Sequence, residues 1–504
     1  MKSILLIIVS FIITSLSCYC QLKKINFSSK ESKGITIKDK RFLILWNKVK
    51  FNHNNTMMFC DSAIYERVNN SFVAYNNVKI NENDSLHIYG DSVHYFGNDE
   101  KAYIYGNVLV KSNRINLKTN SLIYDQNLKI AYYTNGATVK DIEKGYEIKS
   151  QKGVFNTQLR NVFFRVNVQL VHKDYKIISD SLVYHTNTQK SDIIGNAEIQ
   201  TEKSSIFCSK GWFDSKNNKA SFKKNIIIKS KNQILYADSL FYNEASGLSY
   251  AEGNVKIEDD SNEIVIRGDY GIYNEKIDSV YVWEYASFSQ FNKSDTINIY
   301  ADKFISYLDS TQRIFICYNN AVIDGNLIQG DCDSIFYNKT DSLLKCIDKP
   351  VIWMDENQIS GENLEFKIFE GKIFNMNVTD NSMIVTRKDS VHFDQIKGNN
   401  IYGFFKKNEL KILDVNDNGQ AIYYSLDESD SLINEINNIS CESMRIFIEN
   451  NNIEKIKFNK KPNGKTEPIN NKDENLYLEN FKVFPKKTYQ EKYLKPSGES
   501  SKDN

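Results

Sequence analysis

The sequence predicts an all-β protein built as a tandem repeat, each unit about 30 residues long and made of two strands. Three observations carry this. One cassette recurs along the chain, as Cys60-Asp61-Ser62-Ala63-Ile64-Tyr65, Tyr89-Gly90-Asp91-Ser92-Val93-His94-Tyr95, Ser179-Asp180-Ser181-Leu182-Val183-Tyr184 and Tyr236-Ala237-Asp238-Ser239-Leu240-Phe241-Tyr242. A fixed period of this length marks one supersecondary unit stacked many times. Aromatic residues make up 12% of the chain, with 30 Tyr and 29 Phe, a bias that favours strands. Up to about residue 455 no stretch sustains a helical period, and Pro350 is the one proline that interrupts it, as expected where amides are needed for ladders.

From the N-terminus, residues 1–20 read as a signal peptide. Lys2 is the positive start, Ile4 to Ile13 the short apolar core, and Cys18-Tyr19-Cys20 puts small residues before Gln21. The run is too short for a comfortable membrane span, so the mature chain is expected to be exported and soluble. A lipoprotein start at Cys18 is the alternative, although Ser15-Leu16-Ser17 makes a poor lipidation box. Six cysteines remain after cleavage, and they lack the paired spacing of zinc sites. Export permits disulfides. Cys317 and Cys346 lie one period apart, so a bridge between adjacent rungs and free buried thiols both stay open.

Residues 21–455 hold the repeats, in one segment or several, with later units from about 395 more degenerate. Aligned on the first polar residue of the cassette, the column reads Asp61, Asp91, Asn120, Gln151, Asp180, Ser209, Asp238, Asp269, Asp302, Asp331 and Glu362. Four residues further lies an aromatic column, Tyr65, Tyr95, Tyr124, Phe155, Tyr184, Phe213, Tyr242 and Tyr273, resuming at Tyr337 and Phe366 after a slip near Tyr307. The second strand follows a turn or bulge signal, Asn-Asn or Gly-Asn, residues that tolerate positive φ. It then alternates with period two, as in Asn77-Val78-Lys79-Ile80, Gly106-Asn107-Val108-Leu109-Val110 and Gly253-Asn254-Val255-Lys256-Ile257. Valine and isoleucine face inward there and lysine faces out. After Lys460 the composition changes, and residues 456–504 read as a polar, proline-containing tail.

The balance of 64 Lys plus Arg against 63 Asp plus Glu lacks the basic stripe of a nucleic-acid groove. The Asp column invites an acid–base reading. It drifts to Asn, Gln and Ser, however, which favours a backbone-bonding role at a strand start. The six histidines form no ligand pair, and no nucleophile elbow, P-loop or Cys–His motif is present. No catalytic residue, metal site or cofactor is therefore expected. The Val-x-Ile columns would instead stack into an apolar lane. That lane is either a filled core, as in a parallel β-helix, or a groove open along one side.

Ala237-Asp238-Ser239-Leu240-Phe241-Tyr242, followed by Tyr250-Ala251-Glu252-Gly253-Asn254-Val255-Lys256-Ile257, resembles the repeat of the OstA (organic solvent tolerance) family, which includes LptA-like periplasmic proteins. The resemblance covers roughly residues 35 to 455. It implies an elongated β-jellyroll of stacked V-shaped strands, binding lipopolysaccharide through lipid A acyl chains and helping to carry it across the periplasm to the outer membrane. The inward positions that match are Val78, Ile80, Val108, Val110, Val139, Leu170, Ile199, Ile228, Val255 and Ile257. It further implies docking to inner- and outer-membrane transport components through terminal strand edges, or head-to-tail self-association. A surface adhesin or polysaccharide-active enzyme on a parallel β-helix, and a structural envelope scaffold, are the rival readings.

Overall fold

The computed structural model describes residues 24–486, apart from 55, 83–85, 113, 144, 157, 262, 292–295, 339, 370–371, 427–432, 450–451 and 470–475. The expected signal peptide, residues 1–20 with Cys18, and the chain beyond residue 486 lie outside the described residues. Those described form strands joined by turns and bends, with no helix among them. Two compact units divide the chain, one ending at Asn217 and the other beginning at Asn218.

In the first unit, strands of 11 to 14 residues such as Lys40–His53, Thr56–Glu66, Ser71–Glu82, Leu86–Phe96 and Lys101–Ser112 run as an antiparallel meander. Each is interrupted near its middle by a register shift, at Trp46/Val49, Tyr75/Val78 and Tyr105/Val108 for example. On alternate strands the shift is a bulge of two residues at positive φ, Asn47 and Lys48, Asn76 and Asn77, Gly106 and Asn107, each opposite one skipped residue of the neighbouring strand, Asp61, Asp91 and Asn120. A bulge bends and twists its strand, so each strand contributes its two halves to two walls that meet along the row of bulges.

The walls face one another. Phe51, beyond the bulge of its strand, stacks on Phe72, which precedes the bulge of its own, with ring centroids 3.7 Å apart. Both are 1% exposed. An apolar void between the walls, lined by Val110, Leu117, Val139, Phe155 and Val162, measures about 10 Å³, room for one water at most. The wall-to-wall core is thus close-packed over this stretch.

The second unit repeats the plan from Lys219–Ser230 onward, with bulges at Lys224 and Asn225, Gly253 and Asn254, and Glu284 and Tyr285. Phe288 on one wall meets Phe304 and Phe315 on the other at 5.6 and 5.2 Å. A continuous buried core runs from Ile264 to Ile446. The aromatic column's slip is resolved here. Ser306, four residues after Asp302, takes the inward place at 1% exposure, and Tyr307 turns out of it. All six cysteines among the described residues are buried and free. Burial pushes the Cys60 thiol up to about 12 and that of Cys208 to about 11. Cys317 and Cys346 lie two strands apart, each opposite Ile335.

Strands continue into the proline-bearing end, as Asn452–Lys460 and Asn463–Pro468. Residues 476–486 then lie on the outer face of the strands Asn357–Ser360, Lys372–Arg387 and Phe393–Lys406. Leu478 and Phe481 cover Met383, Val385 and Phe393. Two buried glutamines clasp this segment's backbone. The Gln395 amide donates to Leu476 O at 2.9 Å and accepts from Leu478 N at 2.8 Å. The Gln358 amide donates to Lys482 O and accepts from Phe484 N, both at 2.8 Å. Each side chain thereby imitates a neighbouring strand's peptide group. Gln358→Ala is expected to cost about 1–2 kcal/mol and to make the bond after Lys482, whose two sides it holds, a site of rapid tryptic cleavage. Unchanged proteolysis would contradict the clasp.

Candidate functional site

The inward positions form direct cross-strand ladders. In the first unit one column runs Phe51, Met58, Ile80, Ile88, Val110, Leu117, Val139, Ile148, Leu170, Ile177, Ile199, Ile206, each opposite the next. In the second unit the column begins Ile228, Leu235, Ile257, Ile266, Phe288, Ile299 and Ile323. Of the positions expected from the sequence, Ile80, Val110, Val139, Leu170 and Ile199 lie in the first column. Ile228 and Ile257 lie in the second, and Val78, Val108 and Val255 sit one step nearer the bulge. Val78, Ile80, Val108, Val110, Val139 and Leu170 are at most 3% exposed, closed over by the opposite wall.

Half of each ladder comes from residues the sequence reading passed over: Met58, Ile88, Leu117, Ile148, Ile177, Ile206, Leu235, Ile266 and Ile299. Each sits three residues before the Asp column. That constant offset is the signal that could have found them.

The Asp column itself is structural. Asn77 Nδ2 donates to Asp61 at 2.8 Å, Asn107 to Asp91 at 2.8 Å, Asn254 to Asp238 at 2.7 Å and Asn320 to Asp302 at 2.9 Å. Asp180 accepts from the backbone N–H of Asn196 at 2.9 Å. Each carboxylate ties the next strand's bulge, on the outside of the bend. Where the column reads Asn120 and Gln151, an open cavity of about 720 Å³ lies at the bend, with Lys118, Lys149 and Val108 among its lining. Among the described residues no group of three or more His, Cys, Asp or Glu converges as a metal cluster would.

The lane is not uniform. In the strands Lys219–Ser230, Gln233–Asn243, Leu248–Asp259 and Ile264–Asn274, the positions beside the bulge stay buried: Phe222 4%, Ile226 1%, Ala237 5%, Leu240 4% and Val255 2% exposed. Those toward the free edges of the walls are part-exposed, Ile228, Leu235 and Ile257 on one wall and Tyr242 and Tyr273 on the other. Burial returns at Ile264 and Ile266, 7% and 4% exposed, so the less closed stretch is confined to about three strands. The Tyr242 and Tyr273 hydroxyls turn outward to Glu275 and Asp278, at 3.3 and 3.4 Å.

Fold and site together define a tandem-repeat, two-walled antiparallel β-protein whose units each enclose an apolar interior, closed over at Val78–Leu170 in the first unit and less fully closed at Ile228–Ile257 in the second. The family model for OstA-like proteins matches residues 25–180 and 176–286, just over half of the chain, and the chain belongs to that family. Among solved structures it is similar to the crystal structure of LptH from Pseudomonas aeruginosa, the LptA homologous periplasmic component of a conserved lipopolysaccharide transport device. Identity is 14%, the match covers 22% of this chain and 81% of that one, and the TM-score is 0.21. No curated protein matches the chain.

Proposed function

We propose that this protein is a periplasmic carrier that binds lipopolysaccharide through its lipid A acyl chains and helps convey it toward the outer membrane. The observation that carries the reading is an apolar stretch of the second unit, where Ile228, Leu235 and Ile257 are part-exposed above the buried Phe222, Ile226 and Val255, which we read as a cleft reachable from outside. Family membership adds to it. Transferring a dodecyl chain into water costs about 10 kcal/mol at roughly 0.8 kcal/mol per CH₂. A run of near-equivalent apolar rungs removes most of that cost without trapping the chain at one of them. Every described strand pairing is antiparallel, which speaks against a parallel β-helix adhesin or polysaccharide-active enzyme.

The described ends fit docking by strand addition. At the N-terminal end, Asn26–Ser28 and Glu31–Ile37 pair with Lys40–His53, and Glu31–Ile37 is exposed along almost its whole length. At the C-terminal end, Asn463–Pro468 is exposed throughout and carries Lys465 and Pro468, residues that discourage pairing. The N-terminal edge is therefore the better acceptor for a membrane-bound transport component or a second copy.

Binding of a fluorescent fatty acid tests the lipid reading. Ile257→Asp puts a carboxylate on the cleft rim, where water can still reach it, and is expected to weaken binding about tenfold, or about 1.4 kcal/mol. Lys256→Asp, on the outer face, leaves affinity unchanged. Equal losses from both substitutions, or no binding by the unaltered protein, would reject the reading.

A further inference from the structure

We propose that the closed stretch of the first unit is gated: a seam of polar ties holds the free edges of its two walls together, and acyl chains enter that part of the lane when the seam parts. The inference rests on the lipid reading above and adds its regulation. The ties join residues far apart in sequence, and all but Tyr95–Gln126 and Arg114–Asp141, which run along one wall, cross from the edge of one wall to the edge of the other. His53 Nδ1 lies 2.6 Å from the Tyr95 hydroxyl, which donates to Gln126 at 3.1 Å. Asn54 donates to Glu100 at 2.6 Å. Lys129 pairs with Glu82. Arg114 binds Asp141 at 2.7 Å and reaches over to Thr186 O at 3.1 Å, while Tyr184 donates to Asp141 at 2.7 Å. His53, Glu82, Tyr95, Gln126, Asp141 and Tyr184 are all at most 5% exposed.

Two features distinguish this seam from an ordinary core boundary. It is polar, although the interior beneath it is apolar, so parting it delivers its groups to water rather than exposing a greasy seal. It is also incompletely bonded. Asn54 Oδ1, Thr56 Oγ1, Glu82 Oε2 and Tyr124 OH are buried there without a hydrogen-bond partner among the described residues. Buried polar groups are ordinarily satisfied, so a cluster of exceptions favours opening, which hydrates them. In the second unit the corresponding edge positions Ile228, Leu235 and Ile257 are part-exposed, so the repeat tolerates a less closed edge.

The test uses the full mature chain and a stearic acid carrying a diazirine on its alkyl chain, with labelled residues mapped by mass spectrometry. Glu82→Cys/Lys129→Cys, joined by a short bismaleimide, locks the seam; the native cysteines of the described chain are buried and spared. Glu82→Gln loosens the seam while keeping its shape. In the unaltered protein, label is expected on the Val78–Val110 stretch and on Ile228–Ile257. Locking should cut the first at least tenfold and leave the second unchanged, and Glu82→Gln should raise the first several-fold. First-unit labelling that ignores the lock overturns the gate, as does its absence even from Glu82→Gln while the second unit labels. If neither stretch labels in the unaltered protein, the lipid reading fails and takes the gate with it.

Discussion

Asp141→Ala is expected to destabilise the first unit by about 3–5 kcal/mol, because removing one partner of a buried ion pair strands the other. The Asp141 side chain is 2% exposed and that of Arg114 19%. Asp141 also accepts the Tyr184 hydroxyl. Burial, with the Asp141 carboxylate next in weight, holds that hydroxyl protonated well above its ordinary range, so it stays a donor at any working pH. Glu143, 3.4 Å from Arg114, and Thr186 O retain part of the guanidinium's bonding, which places the loss toward the lower end of the range. Asp141→Asn, which keeps the shape and an acceptor, should cost roughly half as much. Arg114→Leu/Asp141→Leu should recover most of the loss, since apolar replacement of a whole buried pair is often neutral. Urea unfolding followed by strand circular dichroism reads all three. An Asp141→Ala protein within about 0.5 kcal/mol of the original would show that the tie is not formed in solution.

Gly106→Ala should cost about 2–3 kcal/mol for a different reason. Gly106 sits at φ +74°, and a Cβ there would come 2.3 Å from Asp91 Oδ2. The left-handed conformation alone costs an L-residue roughly 1–2 kcal/mol; pushing Asp91 aside also breaks its bond to Asn107. Asp91→Ala by itself loses one exposed hydrogen bond, about 0.5–1 kcal/mol. In the Asp91→Ala/Gly106→Ala double variant the clash is gone, so the two losses should fall short of adding by about 1 kcal/mol or more. Gly34→Ala, where nothing lies within 4 Å of the new Cβ, is the neutral control. Strict additivity of the two changes would mean that the carboxylate does not sit over the bulge.

The tie from each column carboxylate to the next strand's bulge illustrates what could be read in advance. Asp61 and Asn77, Asp91 and Asn107, and Asp238 and Asn254 are each 16 residues apart. That spacing is short enough that neighbouring strands meet whatever the rest of the chain does. The cross-strand ladder from Phe51 to Ile206 is of the same kind, since each contact joins successive strands. Its even members lie in the strand half before the Asp column, where no Asn-containing bulge marks the start of the alternation.

Ser306 marks where local reading weakens. The 33-residue gap between Asp269 and Asp302 hides an aromatic one place off phase, and only the pairing of Lys303 with Tyr318 and of Phe304 with Cys317 shows which side chain faces in.

Period, strand content, the bulges and the apolar columns were determined by the sequence alone. They arise between residues within about 30 positions of one another, where pairing is dictated by alternation and turn chemistry. The tertiary structure decided where the lane is shut and where it is less fully closed, that Arg114 meets Thr186, and that Gln358 holds Lys482 and Phe484. Those contacts span 72, 124 and 126 residues. They depend on how far each wall is offset from the one it faces, a quantity summed over many bends and twists that no single stretch of residues encodes.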